Sequence, residues 1–322
     1  MRILLTHKPG GAFGYITEGW LNAFRSVGHA VERWDGSPQM WQAFRPDLYI
    51  GCSGHRQPIP DRRDNCRVAI HVNPYGPIDV RGINESQDAI SWTLAQRPDA
   101  VFGYGFVKDS RYWEYWTARH GIPWVPMATA ADATLFNREP GAKSCGMVYL
   151  GGRWSYKAQR IDKWLLPVVS SPGLDCRLYG WGDWPVRGHL GQLDDRYVPD
   201  FLASGRVGPC ISEPHTGEHG FDLPERAFKV AASGTVAVHD FVPGLSEVFP
   251  SLVVAGSPGE FAEACLRFAG SWDPALAGRQ RYDVLSAHTY HHRLAGLLSA
   301  LGFGLAAAEM QTYIRCLAQS RR

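Results

Sequence analysis

No apolar run in this chain approaches the roughly 18 residues that a membrane-spanning helix needs. The first residues, Met1-Arg2-Ile3-Leu4-Leu5-Thr6, read as a strand and not as a basic, apolar and small-residue leader. Charge of one sign is missing too: 33 Lys and Arg stand against 31 Asp and Glu, a net +2 with a pI near 8.2. Without a basic field, generic binding to a nucleic-acid backbone is not expected. The seven cysteines are odd in number, scattered and never spaced C-x-x-C. That argues against a disulfide framework or a cysteine zinc site and for reduced, mostly buried thiols in a cytoplasmic protein. Tandem repeats and low-complexity segments are also lacking.

Missing motifs narrow the chemistry. G-x-x-x-x-G-K-[ST] does not occur, which speaks against a P-loop ATPase. The first glycine loop, His7-Lys8-Pro9-Gly10-Gly11-Ala12-Phe13-Gly14, is not G-x-G-x-x-G, so nicotinamide dinucleotide binding has little support. H-E-x-x-H is absent, and Gly217 interrupts the string His215-Thr216-Gly217-Glu218-His219. Around His288, His291 and His292 the nearest acidic residue in sequence is Asp283. Neither a metal nor a bound cofactor is therefore expected. The longest uncharged stretch, Leu294 to Ala308, carries Gly296, Gly302 and Gly304. It reads as a packed terminal helix or helix pair, with weak peripheral membrane contact as the alternative.

What the chain does have is length for two domains, at 322 residues, and many aromatics, with 12 Trp and 13 Tyr. Flat amphipathic rings suit sugar faces and bases, although core packing accounts for most such rings. Short apolar runs at Ile3 to Thr6, Leu48 to Gly51, Val68 to Val72 and Ala100 to Gly103 alternate with helical patterns. One such helix holds Trp20, Leu21, Phe24 and Val27 on one face and closes at Gly28. A second series follows the polar stretch Asn137 to Gly146. Its strands are expected at Met147 to Leu150, Cys176 to Tyr179, Gly208 to Ile211 and Val236 to His239, with helices at Ile161 to Val169 and Pro224 to Ser233. This alternation predicts α/β sheets of parallel strands, whose ligands bind beyond strand carboxyl ends. The expected domains are 1–140, 141–290 and terminal helices over 291–322, whose packing partner the sequence does not reveal.

Two segments carry most of the chemistry. Tyr149-Leu150-Gly151-Gly152-Arg153-Trp154-Ser155-Tyr156-Lys157 runs from strand through glycines to basic residues, a pattern suited to a diphosphate held by backbone amides, Arg153 and Lys157. Glu218-His219-Gly220-Phe221-Asp222-Leu223-Pro224-Glu225-Arg226 leads from a polar loop into a helix that ends at Gly234. There a carboxylate can accept ribose hydroxyls and an arginine can take phosphate. His71, at the end of an apolar run, could hydrogen-bond a transferring sugar or act as a base. Glu218 is the second candidate catalytic residue, with His7 and Asp79 as rivals.

This second segment, with Pro243-Gly244-Leu245 and Glu247-Val248-Phe249 after it, resembles the donor-binding region of GT-B glycosyltransferases, closest to the CgeB-type spore-maturation group. Ala287-His288-Thr289-Tyr290-His291-His292-Arg293 is similar to the H-T-Y-x-x-R signature of that group. The resemblance covers nearly the whole chain, by pattern more than by residue in the first half. It implies a GT-B architecture, two Rossmann-like doubly wound domains facing a cleft, with an acceptor domain first and a nucleotide-sugar domain second. The implied reaction is metal-independent sugar transfer from a nucleoside-diphosphate sugar to an acceptor.

On this reading the donor is expected on Gly152, Arg153, Lys157, Tyr179, Gly180, His219, Gly220, Phe221, Asp222, Leu223, Glu225 and Arg226, with Gly10 and Gly11 on the acceptor side. Related transferases often place a ribose-binding glutamate five residues before the glycine equivalent to Gly234, where this chain has Lys229. Either Glu225 takes that role or the donor is held differently. A nucleotide-sugar epimerase of similar fold and a non-catalytic carbohydrate- or nucleotide-binding protein remain as alternatives.

Overall fold

The computed structural model describes residues 1–6, 11–57, 59–60, 65–72, 87–103, 113–136, 141–186, 188–219 and 223–319. Two compact units divide the chain: Met1–Thr134 together with Tyr290–Arg322, and Leu135–Thr289.

In the first unit six strands form one parallel sheet: β1 (Arg2–Thr6), β2 (Ala30–Trp34), β3 (Leu48–Cys52), β4 (Arg67–His71), β5 (Ala100–Gly103) and β6 (Trp124–Pro126). Their order is β2-β1-β3-β4-β5-β6. β3 and β5 are buried along their whole length, which is why they appear in the sequence as unbroken apolar runs and not as alternating ones. Helix α1 (Gly11–Ser26) lays Trp20, Leu21 and Phe24 on the sheet. Gly28 ends its run with a φ of 84°, a left-handed turn that glycine adopts without steric cost. Helix α2 (Pro38–Phe44) is capped by Ser37, whose hydroxyl accepts from the Met40 N–H, and α3 (Gln87–Ala95) follows β4. The aromatic run near residue 115 forms a π-helical turn, Trp113–Ala118, with Trp116 buried and Trp113 exposed.

The second unit repeats the arrangement. Strands β7 (Cys145–Leu150), β8 (Cys176–Tyr179), β9 (Gly205–Cys210), β10 (Val236–Asp240) and β11 (Val253–Ala255) are all parallel, in the order β11-β10-β9-β7-β8. Its helices are α4 (Ser155–Trp164), α5 (Leu166–Val169), α6 (Val198–Ser204), α7 (Pro214–His219), α8 (Glu225–Ala232), α9 (Leu245–Val248), α10 (Pro258–Gly270) and α11 (Pro274–Ala287). Ser257 and Asp273 cap α10 and α11, each followed by proline at the first helical position. Numbered from its own first strand, the second sheet runs 2-1-3-4-5, the order of the first five strands of the first sheet, which adds β6 at its edge. The connections therefore reverse direction between β1 and β3 in one unit and between β7 and β9 in the other, and such reversals open the crevices where ligands of open α/β sheets bind.

The string His288 to Arg293 carries the chain from the second unit into the first. His288 rests on Phe228 and Phe249 and shares a hydrogen bond of 3.0 Å between Nε2 and the Val248 carbonyl. Two residues on, the Tyr290 ring lies against Gly19, so close that a Cβ on the glycine would collide with it. Arg293 Nε donates to the Ala128 carbonyl at 3.2 Å. Beyond it α12 (Tyr290–Ala300) and α13 (Gly304–Gln319) pack on the first sheet through Leu294, Leu297, Leu298, Leu301 and Met310. Among the described residues no helix is long and apolar enough to cross a membrane. All seven cysteines are free thiols, five of them buried.

Because Leu294 is fully buried in this terminal packing, Leu294→Ala should cost about 2–5 kcal/mol. Urea unfolding followed through the first unit's tryptophans should show a lower midpoint. An unchanged midpoint would mean that the terminal helices contribute little to that core.

Candidate functional site

At the reversal between β7 and β9, side chains from five elements bring charge together. Arg226, from the first turn of α8, donates through Nε to the Leu150 carbonyl at 2.6 Å and through Nη1 to the Ile211 carbonyl at 3.5 Å. Its guanidinium lies over the Tyr149 ring, 4.7 Å from the centroid. The residue thus links the carboxyl ends of the neighbouring strands β7 and β9. No carboxylate pairs with it among the described residues.

The neighbouring cations are paired. Lys157 on α4 is 5% exposed in its side chain and bonds Glu213 Oε1 at 3.0 Å. Burial pushes its ammonium below the ordinary lysine range, and Glu213 counteracts this. Arg160, one turn further along α4, donates to Asp240 Oδ2 at 2.5 Å and to the Phe241 carbonyl at 3.0 Å. Asp240, the last residue of β10, also accepts from the Ser212 N–H at 3.0 Å and its hydroxyl at 2.9 Å, with His239 Nδ1 at 2.9 Å. Burial disfavours this carboxylate's charge, yet His239 and Arg160 outweigh it and hold the group down at about 2. Arg153 is engaged elsewhere, in a two-bond pair with Asp162 at 2.9 and 2.8 Å. A fork of this kind is stronger than a single contact.

The rim is aromatic. The loop 151–153 continues the β7–β8 pairing, with Gly151 N–H on the Tyr179 carbonyl and Arg153 N–H on the Trp181 carbonyl, both at 2.9 Å. Gly180, at φ 153°, sits so close to Gly151 that a Cβ would overlap the Gly151 carbonyl. The Trp181 indole lies across Gly152 and is 52% exposed. Tyr156 stacks on His215, their OH and Nδ1 3.1 Å apart.

The residues expected from sequence to hold the donor are thus distributed. Gly152, Arg153, Lys157, Gly180 and Arg226 gather at the β7 end of the sheet. Tyr179 turns its ring onto Phe201, 5.0 Å away in an edge contact. Leu223 is part of the core. Glu225 bonds Lys229 at 2.6 Å in an i,i+4 pair on α8, both side chains mostly buried. Gly220, Phe221 and Asp222 lie outside the described residues, as do the side chains of Glu218 and His219, which belong to α7 by backbone. His7, Gly10 and Asp79 also fall outside, and Gly11 is described only as the start of α1.

Glu213, Asp240, Arg160 and Tyr149 were not anticipated. A usable signal existed, since Ser212-Glu213 and His239-Asp240 are polar pairs at the ends of apolar runs, where a parallel sheet presents its ligand face.

In the first unit the corresponding strand ends are uncharged among the described residues. Thr6 and Tyr49 share a hydroxyl–hydroxyl bond of 2.6 Å. His71 is 2% exposed and packs against Phe13, Trp20 and Phe102, with Cys52 Sγ 3.5 Å from its Nδ1. Burial drives its imidazole down to about 3, so the ring is neutral near pH 7. No group of three or more His, Cys, Asp or Glu is placed to hold a metal ion among the described residues.

A family model described as glycosyl transferase-like matches residues 159–299. No curated protein matches the chain in sequence. The fold is shared with solved glycosyltransferases over nearly all of both chains. The phage T4 enzyme BGT in complex with its UDP-glucose substrate is 12% identical, with 99% of each chain covered and a TM-score of 0.54. A sucrose-phosphate synthase from Thermosynechococcus elongatus is 13% identical, with 99% of each covered and a TM-score of 0.59. AviGT4, a glycosyltransferase involved in avilamycin A biosynthesis, is 15% identical, with 98% of each covered and a TM-score of 0.55. The chain thus shares the two-domain GT-B fold of these enzymes, and its residues 159–299 match the glycosyl transferase-like model.

The depressed Asp240 carboxyl makes a pH prediction. Its folded value of about 2 lies below the unfolded one, so its stabilisation is fully present above about pH 4 and is lost as pH falls towards 2. The loss should reach about 2 kcal/mol. Urea midpoints of the native chain should therefore fall more steeply between pH 4 and pH 2 than those of Asp240→Asn. Parallel slopes would show that Asp240 is not held in its charged form.

Proposed function

We propose that this chain transfers a sugar from a UDP-sugar to an acceptor, gripping the donor's diphosphate through Arg226 without a metal ion. The observation that carries this reading is the position of Arg226. It is a cation without a carboxylate partner among the described residues, at the strand reversal of the unit that holds most of the glycosyl transferase-like domain. UDP as the carrier is supported by the T4 enzyme's complex with UDP-glucose. A CgeB-like subtype is supported by the string from His288 to Arg293.

In the transfer, the bond between the anomeric carbon and the UDP oxygen breaks, an acceptor oxygen bonds that carbon, and UDP leaves with the bonding pair. A guanidinium fixed beforehand against the diphosphate stabilises the charge that grows on the leaving group. The Glu225–Lys229 pair supports this by tightening the helical turn that presents Arg226. The acceptor is assigned to the first unit, where neutral His71 serves for hydrogen bonding and not as a charged group. Seven cysteines outside any disulfide suit a cytoplasmic setting.

Titration calorimetry with UDP, GDP, CDP and dTDP tests the donor. UDP should bind most tightly, and Arg226→Ala should weaken it at least tenfold, about 1.4 kcal/mol, a larger loss than it causes in folding stability. Unchanged UDP affinity in that variant would remove Arg226 from the donor site. Equal losses of affinity and folding would make it a structural residue.

A further inference from the structure

We propose that Tyr149 and Gly151 are positioning residues that clamp the Arg226 guanidinium in the pose that receives the diphosphate, a role that rests on Arg226 being the donor anchor. An arginine side chain has many rotamers, and a free one would spend little time in any single pose. Here its freedom is removed on several sides. The Tyr149 ring, fully buried near the end of β7, lies under the guanidinium plane at 4.7 Å. The Leu150 and Ile211 carbonyls receive Nε and Nη1. On another side Gly151 approaches so closely that a Cβ built there would run into Nη2.

The arrangement separates the two parts of the tyrosine. Its hydroxyl is buried and makes no hydrogen bond among the described residues, so what the tyrosine contributes to holding the arginine is its ring, through cation–π contact. A ring that holds Arg226 should act on UDP only through Arg226. A ring that merely fills the core should act on folding whatever occupies position 226.

The experiment is a double-mutant comparison of UDP affinity by calorimetry, using the full chain, with Tyr149→Phe, Tyr149→Leu and Gly151→Ala made on the native and the Arg226→Ala backgrounds. Tyr149→Phe should stay within about twofold of native. Tyr149→Leu and Gly151→Ala should each weaken UDP about tenfold on the native background and add nothing on Arg226→Ala, the result expected of residues acting through one partner. Undiminished penalties on Arg226→Ala, or a Phe variant as poor as Leu, would overturn the clamp.

Exchange of the Arg226 Nε proton, followed by nitrogen-15 NMR without nucleotide, reads the clamp independently of donor binding. It should speed up at least tenfold in Tyr149→Leu and Gly151→Ala and not in Tyr149→Phe, and unchanged exchange in all three would overturn the clamp. If Arg226→Ala leaves UDP affinity intact while the exchange responds as expected, the clamp stands and the donor assignment fails. If Tyr149→Leu does not fold, Gly151→Ala, a change in the loop after β7, carries both measurements.

Discussion

Ammonium, guanidinium and carboxylate groups leave water only at a cost that pairing must offset, and the second unit meets this constraint at the place where its sheet reverses. Lys157 pairs with Glu213 through Oε1, and Arg160 pairs with Asp240. Among the described residues Arg226 meets carbonyls and a ring, and no carboxylate. It is therefore, among those residues, a cation without a carboxylate partner, held next to a glycine loop. A site built this way favours an anion that arrives with its own oxygens, and it does so without reorganising when the anion comes.

The two units show how one sheet order can host different chemistry. Both share the order 2-1-3-4-5 over their first five strands, yet among the described residues the first presents Thr6, Cys52 and a neutral His71 at its strand ends while the second presents buried charge. The order determines where a ligand can sit, and the residues just past the strands decide which ligand it is.

Much of the scaffold was legible because burial on both faces writes itself as short apolar runs. Ala100 to Gly103, buried along its whole length, was anticipated to the residue, as was Cys176 to Tyr179. The three-residue edge strands Trp124–Pro126 and Val253–Ala255 were not, since so short a run has no pattern of its own. Arg226, at a proline-led helix start, was also readable as a phosphate ligand. That Lys157 and Arg153 would be occupied by Glu213 and Asp162 was not. Glu213 is 56 residues from Lys157, and no local pattern reports a partner at that distance.

By itself, then, the sequence determined the α/β class, the repeated strand–helix alternation and the segments that reach strand carboxyl ends, because these follow from local periodicity and from where glycine and proline can stand. Tertiary structure alone decided that the chain re-enters its first unit at Tyr290. An apolar helix face fits any sheet, and only the packing against α1 selects one. It also decided which cations are paired, Lys157 with Glu213 and Arg160 with Asp240, since pairing depends on distances between strands far apart in the chain.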